Sequence, residues 1–413
     1  MTTKKPPIWH VLRSRPHFRR LWVSNIISLI GDWLSYIAVA LISIEKGQGA
    51  LAVAFVLVAH ALPAALMSPI TGPLADRFDR RRLIILGYIG ATILTLGMWF
   101  AAKHNALVWL QICLFMRVCV SGIATTARSA SVPSLVHENE LHSANALLSL
   151  TWSIMFTTGL ALGGLASAVL SPDGAILLDA ATFLGAAWVV RGLPAIPPGN
   201  EGEARPRVGL RDLLTAWQFA RSRPRVLVGL LGKVPAMAAN GGGWIFLNIA
   251  GAAMLAPMDL AIALGSMQAA RAIGTGVGPL LPAKIIPRSP LAGTILTFVG
   301  LAMFTYTGHV ALGFIGLFVW GAGGGHNWVM STVRVQTHTP KHLLGRMTAI
   351  DFFLFGTIES AAAIGAGILV DTFGIESLST TVGLVAGGLA YMGLIAYWYL
   401  TRGAGDRTGQ TST

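Results

Sequence analysis

Long runs of apolar residues dominate the chain, and short polar or basic segments separate them. Because an α-helix rises 1.5 Å per residue, about 20 apolar residues cross the hydrocarbon core of a bilayer. A transmembrane β-barrel would instead show alternating strands of about ten residues. The pattern therefore predicts an all-α polytopic membrane protein with twelve transmembrane helices. Their approximate limits are residues 21–44, 50–73, 83–102, 106–128, 145–170, 174–191, 226–249, 258–282, 291–309, 311–334, 347–370 and 378–400.

The composition excludes the soluble classes. Of the 413 residues, 54% are hydrophobic and only 11% are charged, whereas soluble domains carry about 25% charged residues. Cys113 and Cys119 lie six residues apart in one apolar run, on different faces of a helix, so we predict no disulfide between them. No metal-ligand spacing is present, and no metal site is predicted. The first apolar run is too long for a signal peptide and is expected to be the first span.

The basic residues predict the orientation in the membrane. The net charge is +13, from 30 Lys and Arg against 17 Asp and Glu. With the N-terminus inside, 25 of the 30 basic residues fall on the inner side, and only Lys46 and Lys103 fall outside. Cytoplasmic loops carry such an excess, so the charge requires no nucleic acid as partner. We predict cytoplasmic N- and C-termini.

One long polar stretch divides the twelve segments into two sets of six. Its first half is rich in Pro, Gly and Glu, which is typical of a linker. Its second half, from Leu210 to Ala220, has helical apolar spacing and basic flanks, which predicts a short helix on the inner membrane face. The predicted domains are an N-terminal six-helix bundle at 1–191, a cytoplasmic linker at 192–224 and a C-terminal six-helix bundle at 225–413.

The two halves repeat one another. Four features recur at a nearly constant offset of 206 or 207 residues, close to half the chain length, and at equivalent positions in their spans. The matching positions are Gly72-Pro73-Leu74 with Gly278-Pro279-Leu280, Arg128 with Arg334, Pro133 with Pro340, and Gly159 with Gly365. We interpret this as a duplicated six-helix unit that forms two pseudo-symmetric bundles. Many secondary transporters are built from such repeats, with the substrate site at the repeat interface.

The segment after the second span is the most specific motif. Residues Gly72 to Leu83, GPLADRFDRRRL, resemble the loop 2–3 signature of the major facilitator superfamily, G-x-L-a-D-R-x-G-R-[KR]-x-x-L. Within the first ten positions one differs, where Asp79 replaces the second glycine, and the final leucine of the signature falls at Ile84, next to Leu83. The resemblance implies the major facilitator fold and an inner gate at Gly72, Asp76, Arg77 and Arg80. In that role Asp76 pairs with arginines or with a helix dipole in one state and not the other. The alternative is a basic stop-transfer cluster that only enforces topology.

Further stretches resemble the subgroup of this superfamily that contains bacterial enterobactin and macrolide exporters. They are FRRLW at 18–22, GDW at 31–33, Arg128 with PSLV at 133–136, EL at 140–141 with ANA at 144–146, and GRM at 345–347. The resemblance implies efflux of an amphipathic small molecule, such as a siderophore, a drug or a lipid-like metabolite, across the bacterial inner (plasma) membrane. The alternative is an uncoupled facilitator or an importer of a small metabolite.

A glycine run in the fifth span resembles a second motif of the superfamily. GLALGG at 159–164 is similar to the antiporter motif G-P-x-x-G-G, with Leu160 in place of proline. The resemblance implies that Gly159 and Gly163 pack closely against the eighth span and take part in gating. Ordinary packing of small residues is the alternative.

Ionisable residues within the spans are candidates for proton coupling or substrate binding, because each costs about 2.5–3.5 kcal/mol to insert. Asp32 and Arg117 form a possible pair in the first half, and Arg271 and Glu359 lie at mid-depth in the second. A proton carrier or a permanent ion pair would each explain the carboxylates. His60 and His326 could relay protons or be packing residues. We place Asp179 nearer the outer surface, Asp351 nearer the inner surface, and Lys233 two turns into the seventh span.

Two glycine runs, at 241–243 and 321–325, are predicted to interrupt the seventh and tenth helices near mid-membrane. Interrupted helices are tolerated where they line a cavity. The neighbouring polar and aromatic residues are therefore candidates for a substrate wall, namely Asn240, Trp244, Asn327 and Trp328. The alternative is that these glycines serve only as hinges or in close packing.

The sequence shows no enzyme signature. Neither glycine run follows a strand or precedes Lys-Ser/Thr, so neither is a phosphate loop. No nucleophile or metal constellation is found, and we predict no cofactor and no enzymatic activity. The proton gradient is the expected energy source. The expected partners are a small-molecule substrate, protons and the lipid bilayer, and the expected oligomeric state is a monomer.

Overall fold

The computed structural model describes residues 8–46, 49–197, 210–251, 254–255, 258–340 and 343–375. These residues form helices joined by turns, and no strand occurs among them. The predicted twelfth span, 378–400, lies outside the described residues. We number the helices α1 to α13: Ile8–Ser14, Pro16–Lys46, Ala50–Arg77, Arg80–Lys103, Leu107–Leu135, Leu141–Val190, Leu210–Ser222, Pro224–Leu231, Val234–Phe246, Leu260–Val277, Pro290–Tyr306, Val310–His338 and Leu344–Phe373.

In the described part of the chain, six helical stretches are long and apolar enough to cross a membrane. They are Pro16–Lys46, Ala50–Met67, Arg80–Lys103, Leu107–Leu135, Glu138–Val190 and Arg346–Phe373. The helix α6 covers both the fifth and the sixth predicted spans and bends at Ser171 (φ 67°, ψ 159°), beside Pro172. The count of twelve stays a prediction.

The seventh predicted span, 226–249, is not one continuous helix. It is divided into α8 and α9 at Gly232-Lys233, and a π-helical turn, Leu247–Gly251, follows α9. Pro235 lies in the first turn of α9. Because proline has no N–H and fixes φ, it favours a new helix start at this point.

The described helices group into two units. Unit 1 comprises Met1–Gly47, Leu66–Arg207 and Met258–Ala269, within the limits of the described residues. In it α2 packs on α6, and α4 packs on α5. Its core includes Phe18, Ile84, Tyr88 and Phe183.

Unit 2 comprises Gln48–Ala65, Val208–Pro257 and Ala270–Thr413, within the same limits. In it α11 packs on α12, and α9 packs on α13. The helix α7 covers residues 210–220, for which a short helix was predicted. Its residues Ala216 and Ala220 are buried against Val226, Leu230 and Met347. The bundle boundaries at 191 and 225 stay a prediction.

Glu140, just before α6, forms an ion pair with Arg15, which lies between α1 and α2. Arg15 donates from Nε to Glu140 Oε2 (2.8 Å) and from Nη2 to Glu140 Oε1 (3.3 Å), and the same carboxylate accepts from the His137 N–H (3.0 Å). Burial raises the pKa of Glu140, but the Arg15 and His137 hydrogen bonds outweigh it and hold the pKa below the usual 4.5.

Because its folded-state pKa is depressed, Glu140 contributes stability above pH 4.5 that is lost as the pH falls through the lower folded-state pKa. We expect the wild-type melting temperature to fall between about pH 5 and pH 3 more steeply than that of Glu140→Gln. Thermal melts of detergent-purified protein across this interval check the prediction. Glu138→Gln, an exposed neighbour, is the control. Parallel curves for wild type and Glu140→Gln would contradict it.

Candidate functional site

A fully buried arginine lies between two carboxylates in unit 1. Arg117, on α5, places Nη1 2.5 Å from Asp32 Oδ1 and 3.4 Å from Asp179 Oδ2. The side chains of Arg117 and Asp179 are 0% exposed, and that of Asp32 is 23% exposed. Nε and Nη2 of Arg117 have no hydrogen-bond partner among the described residues. The predicted Asp32–Arg117 pair is therefore present, and a second acid shares its cation.

Small residues on α2 make this arrangement possible. Gly31 precedes Asp32, and a Cβ at position 31 would collide with the side chains of Thr182 and Asp179 on α6. The close approach of α2 and α6 brings both carboxylates to the same guanidinium. Thr182 Oγ1 donates to the Asp179 carbonyl (2.7 Å), and the Phe183 ring centroid lies 5.5 Å from Arg117 Cζ.

The sequence did not predict that Asp179 belongs to this cluster, because the residue was expected nearer the outer surface than Asp32 and Arg117. One signal could have found it. An intramembrane carboxylate needs a cation, and Arg117 is the only Lys or Arg of the six predicted spans of the first half that does not lie at a span end.

Four residues that the sequence analysis chose separately meet in unit 2. Asn240 Nδ2, on α9, donates to Glu359 Oε1, on α13, and Arg271 Nη1, on α10, donates to Asn240 Oδ1 (3.2 Å). The Arg271 guanidinium also lies over two indole rings, 4.2 Å from the Trp244 centroid and 5.2 Å from the Trp320 centroid. The amide of Asn240 thus links the arginine to the carboxylate. Trp320 was not predicted.

Unit 2 also contains a buried ion pair, which joins α13 to the start of α9. Lys233 Nζ lies 2.5 Å from Asp351 Oδ2 and 3.0 Å from Thr332 Oγ1. It also lies 4.2 Å from the Trp328 ring centroid. Trp328, predicted as part of a substrate wall, therefore contacts a buried ion pair.

Two further candidates on α12 have structural hydrogen bonds. Asn327 Nδ2 donates to the carbonyls of Gly232 (3.0 Å) and Pro290 (2.8 Å) and to Thr294 Oγ1 (2.8 Å). His326 Nε2 lies 2.9 Å from the Pro287 carbonyl. These bonds connect α12 to neighbouring segments. Substrate binding by Asn327 and proton relay by His326, or by the half-buried His60 on α3, stay predictions.

The expectation that glycine runs interrupt two helices is wrong. Both α9 and α12 continue through their glycines. A Cβ at Gly241 would meet the Glu359 carbonyl, and one at Gly321 would meet the Arg271 carbonyl. The helices approach closely where the side chain is missing, so the runs favour the alternative of close packing.

This packing predicts different effects at two neighbouring glycines. Gly321→Ala is expected to lower stability by about 1–3 kcal/mol, because the new methyl group must displace the backbone around Arg271. Gly324→Ala is the matched control, since its Cβ would have no neighbour within 4 Å, and alanine favours the helix by up to ~1 kcal/mol. Thermal melts of the purified proteins compare them. Equal melting temperatures would contradict the packing role.

The glycines of the antiporter-like run, 159–164, were predicted to pack closely against the eighth span, and one of them does. Gly164 approaches α10 at Ala261 and Gly265. A Cβ at Gly159 would instead meet Trp33, and one at Gly163 would meet the Trp33 carbonyl and Ile37, all on α2. For Gly159 and Gly163 the predicted contact with the eighth span is therefore wrong. A register difference of one residue turns the helix by 100° and changes the neighbour.

The sequence of the chain matches the family model described as Major Facilitator Superfamily over residues 21–366. The chain belongs to the major facilitator superfamily. It is thus a secondary transporter and not an enzyme. It is a multi-pass membrane protein, and its substrate is a small molecule.

Similar proteins cover nearly the whole chain. An uncharacterized MFS-type transporter, YfiS of Bacillus subtilis (strain 168), is 26% identical over 392 residues, 89% of each chain. The enterobactin exporter EntS of Citrobacter koseri is 25% identical over 405 residues, 93% of this chain and 92% of the relative.

Solved structures share the fold. The nucleoside transporter NupG matches with a TM-score of 0.73 at 12% identity, over 92% of this chain and 98% of its own. A bacterial homologue of the human lysosomal transporter Spinster, inward-facing and occupied, matches with a TM-score of 0.74 at 12% identity, over 94% and 98%.

The superfamily's loop 2–3 signature connects α3 to α4 in this chain. Arg80 is buried and donates to the carbonyls of Ala75 (3.2 Å) and Ala130 (2.9 Å), and Arg77 is exposed. Asp79, which replaces the family's glycine, caps α4 at the Arg82 N–H (2.9 Å) and accepts from the Ile196 N–H (2.7 Å). Gly72 and Asp76 lie near the end of α3.

The site contains no cluster suited to a metal. Among the described residues, no group of three or more His, Cys, Asp or Glu side chains could hold a metal ion.

Proposed function

We propose that this transporter exports an amphipathic small molecule from the bacterial cytoplasm by alternating access, in exchange for protons. The observation that carries the proposal is the buried cluster of Asp32, Arg117 and Asp179. It contains two carboxylates within 3.4 Å of the same nitrogen of one guanidinium. Two carboxylates share one cation, and this excess of acid over base supports a site that takes up a proton.

The charge balance gives the physical reason. With both carboxylates ionised, the cluster carries one uncompensated negative charge in a low-dielectric environment, which is costly. One bound proton makes the cluster neutral. Because Asp32 is partly exposed and Asp179 is enclosed, protons exchange through Asp32, while Asp179 keeps Arg117 paired. The site can then alternate between two states of similar energy.

The cluster of Asn240, Trp244, Arg271 and Glu359 is our candidate for substrate binding and for a second coupling site. Two indole rings stack on a guanidinium beside an amide and a carboxylate. Such a surface offers aromatic area and hydrogen bonds together, which suits an amphipathic molecule. The similarity to enterobactin exporters supports export and a siderophore-like substrate.

Gating is proposed at the inner ends of the helices, through Gly72, Asp76, Arg77 and Arg80, and at the glycine run of Gly159 and Gly163. The cytoplasmic termini, the monomeric state and the proton gradient as sole energy source belong to the same proposal. An uncoupled facilitator or importer is the second candidate.

Inverted membrane vesicles distinguish the two. We expect vesicles with the transporter to accumulate enterobactin, or the amphipathic dye Hoechst 33342, when the interior is acidified, and to lose this accumulation when nigericin collapses the pH gradient. Vesicles without the transporter are the control. Transport that is unchanged by the collapse would refute proton antiport and favour the facilitator.

The inner gate predicts a specific effect at Asp76. Asp76→Asn is expected to reduce transport to background while expression stays near normal, because the neutral amide cannot form the charge pair of the closed gate. Asp259→Asn is the control, since Asp259 accepts from the Ala261 and Ile262 N–H groups through Oδ1 alone, which asparagine keeps, and it should keep most of its transport. Full activity of Asp76→Asn in the vesicle assay would remove the gate role.

A further inference from the structure

A cavity of about 580 Å³ in unit 2 takes no part in the proposed transport site. It lies between the turn from α7 to α8 and the end of α12. Its wall comprises Phe219, residues 223–226 and residues 337–340. By the predicted topology this region is at the inner surface of the membrane.

The wall of the cavity is basic. Among the described residues, Arg223, Arg225 and His338 line it, and no acidic residue does. Arg223 lies with Cζ 5.8 Å from the Phe219 ring centroid, which orients the guanidinium beside the opening. Two arginines without a carboxylate partner in the same wall favour an anionic ligand.

The backbone adds to this preference. α8 begins at Pro224, and its first intrahelical bonds are formed by the N–H groups of Val226 and Leu227 to the Arg223 carbonyl (2.9 and 3.0 Å). The positive end of the helix dipole therefore lies at the cavity wall.

A buried hydroxyl provides an independent observation. Thr339 lines the cavity and is only 8% exposed, and its Oγ1 has no hydrogen-bond partner among the described residues. An unsatisfied buried hydroxyl costs free energy. The Oγ1 atom is itself enclosed, so the side chain must rotate about χ1 before a ligand oxygen in the cavity can accept its hydrogen bond.

We propose that the cavity binds a phosphate group, and that its source is the headgroup of an anionic lipid of the inner leaflet. The arginines supply charge-assisted donors, Thr339 supplies a neutral donor, and the α8 N-terminus adds a favourable dipole. Phe219, Pro224, Val226 and Pro340 form apolar parts of the same wall, which favours a lipid over a free hydrated ion. The site would connect the linker helix α7 to the bilayer surface.

Native mass spectrometry of the full-length protein in detergent tests the proposal. The probes are dioleoylphosphatidylglycerol, which is anionic, dioleoylphosphatidylcholine, which has no net charge, and inorganic phosphate. The double variant Arg223→Gln/Arg225→Gln is expected to bind phosphatidylglycerol roughly tenfold more weakly. Thr339→Val keeps every charge and removes only the hydroxyl, and we expect about fivefold weaker binding.

The matched control is Lys284→Gln/Arg288→Gln, which removes two exposed cations from the same predicted face outside the cavity. It should bind as the wild type does. Equal losses in both double variants would show that only the total surface charge matters and would overturn the site, as would unchanged binding in the Arg223/Arg225 variant. Saturable binding of inorganic phosphate that this variant loses would support a phosphate site but assign it to free phosphate. Because the readout is binding, it is independent of transport.

Discussion

Arg117→Gln is expected to remove both transport and stable protein. The substitution leaves Asp32 and Asp179 facing each other without a cation, and Asp179 is fully enclosed. Breaking a buried ion pair by removing one partner costs about 3–5 kcal/mol. We therefore expect a large loss of monodisperse protein after detergent extraction, a lower melting temperature, and no gradient-driven accumulation in inverted vesicles.

A triple variant separates stability from transport. Asp32→Asn/Arg117→Gln/Asp179→Asn removes every charge of the cluster while keeping similar shapes and hydrogen-bonding groups. Neutral replacement of a buried ion cluster is often harmless or stabilising, so the triple variant should recover yield and melting temperature but not proton-driven transport. Lys103→Gln is the control, since it breaks an ion pair with Asp173 in which the lysine side chain is 51% exposed, and exposed ion pairs contribute only about 0–1 kcal/mol. Wild-type stability of Arg117→Gln would refute the charge cluster.

The pairing of Asp32 with Arg117 could be predicted because each is a costly residue at mid-span in the same half. Asp179 was missed because its depth in the membrane depends on where the fifth span ends and the sixth begins. The helix α6 bends at Ser171 without a polar loop that would mark this boundary. Lys233 and Asp351 were not paired because they lie 118 residues apart on helices whose rotation the hydropathy pattern does not determine.

The glycine runs show a second limit of sequence reasoning. A glycine-rich segment is compatible with a break, a hinge or close packing. The choice depends on whether a neighbouring backbone approaches, as the Arg271 carbonyl approaches Gly321. Conversely, the family signature was readable because its motif is nearly complete, and the structure adds the reason for the Asp79 exception. A carboxylate there caps α4 and binds the Ile196 N–H.

The second large effect concerns proton coupling in unit 2. Glu359→Gln is expected to retain substrate exchange, while its rate of gradient-driven transport falls at least about tenfold. Glutamine keeps an Oε1 that can accept the hydrogen bond from Asn240, so folding and the contact to Arg271 through Asn240 are preserved. It cannot bind and release a proton. The measurement is a pair of assays in proteoliposomes, counterflow of labelled substrate at equal pH and net uptake under an imposed pH gradient.

The ratio of the two rates decides whether Glu359 couples or only packs. A purely structural role predicts that both rates fall together, with a lower melting temperature, whereas a coupling role predicts that net uptake alone falls and loses its pH dependence. Glu45→Gln, an exposed acid near the end of α2, should leave both rates unchanged. If Glu359→Gln keeps the wild-type response to the gradient, coupling does not depend on Glu359. The cluster of Asp32, Arg117 and Asp179 would then be the buried site on which the proposal of proton exchange beside an arginine rests.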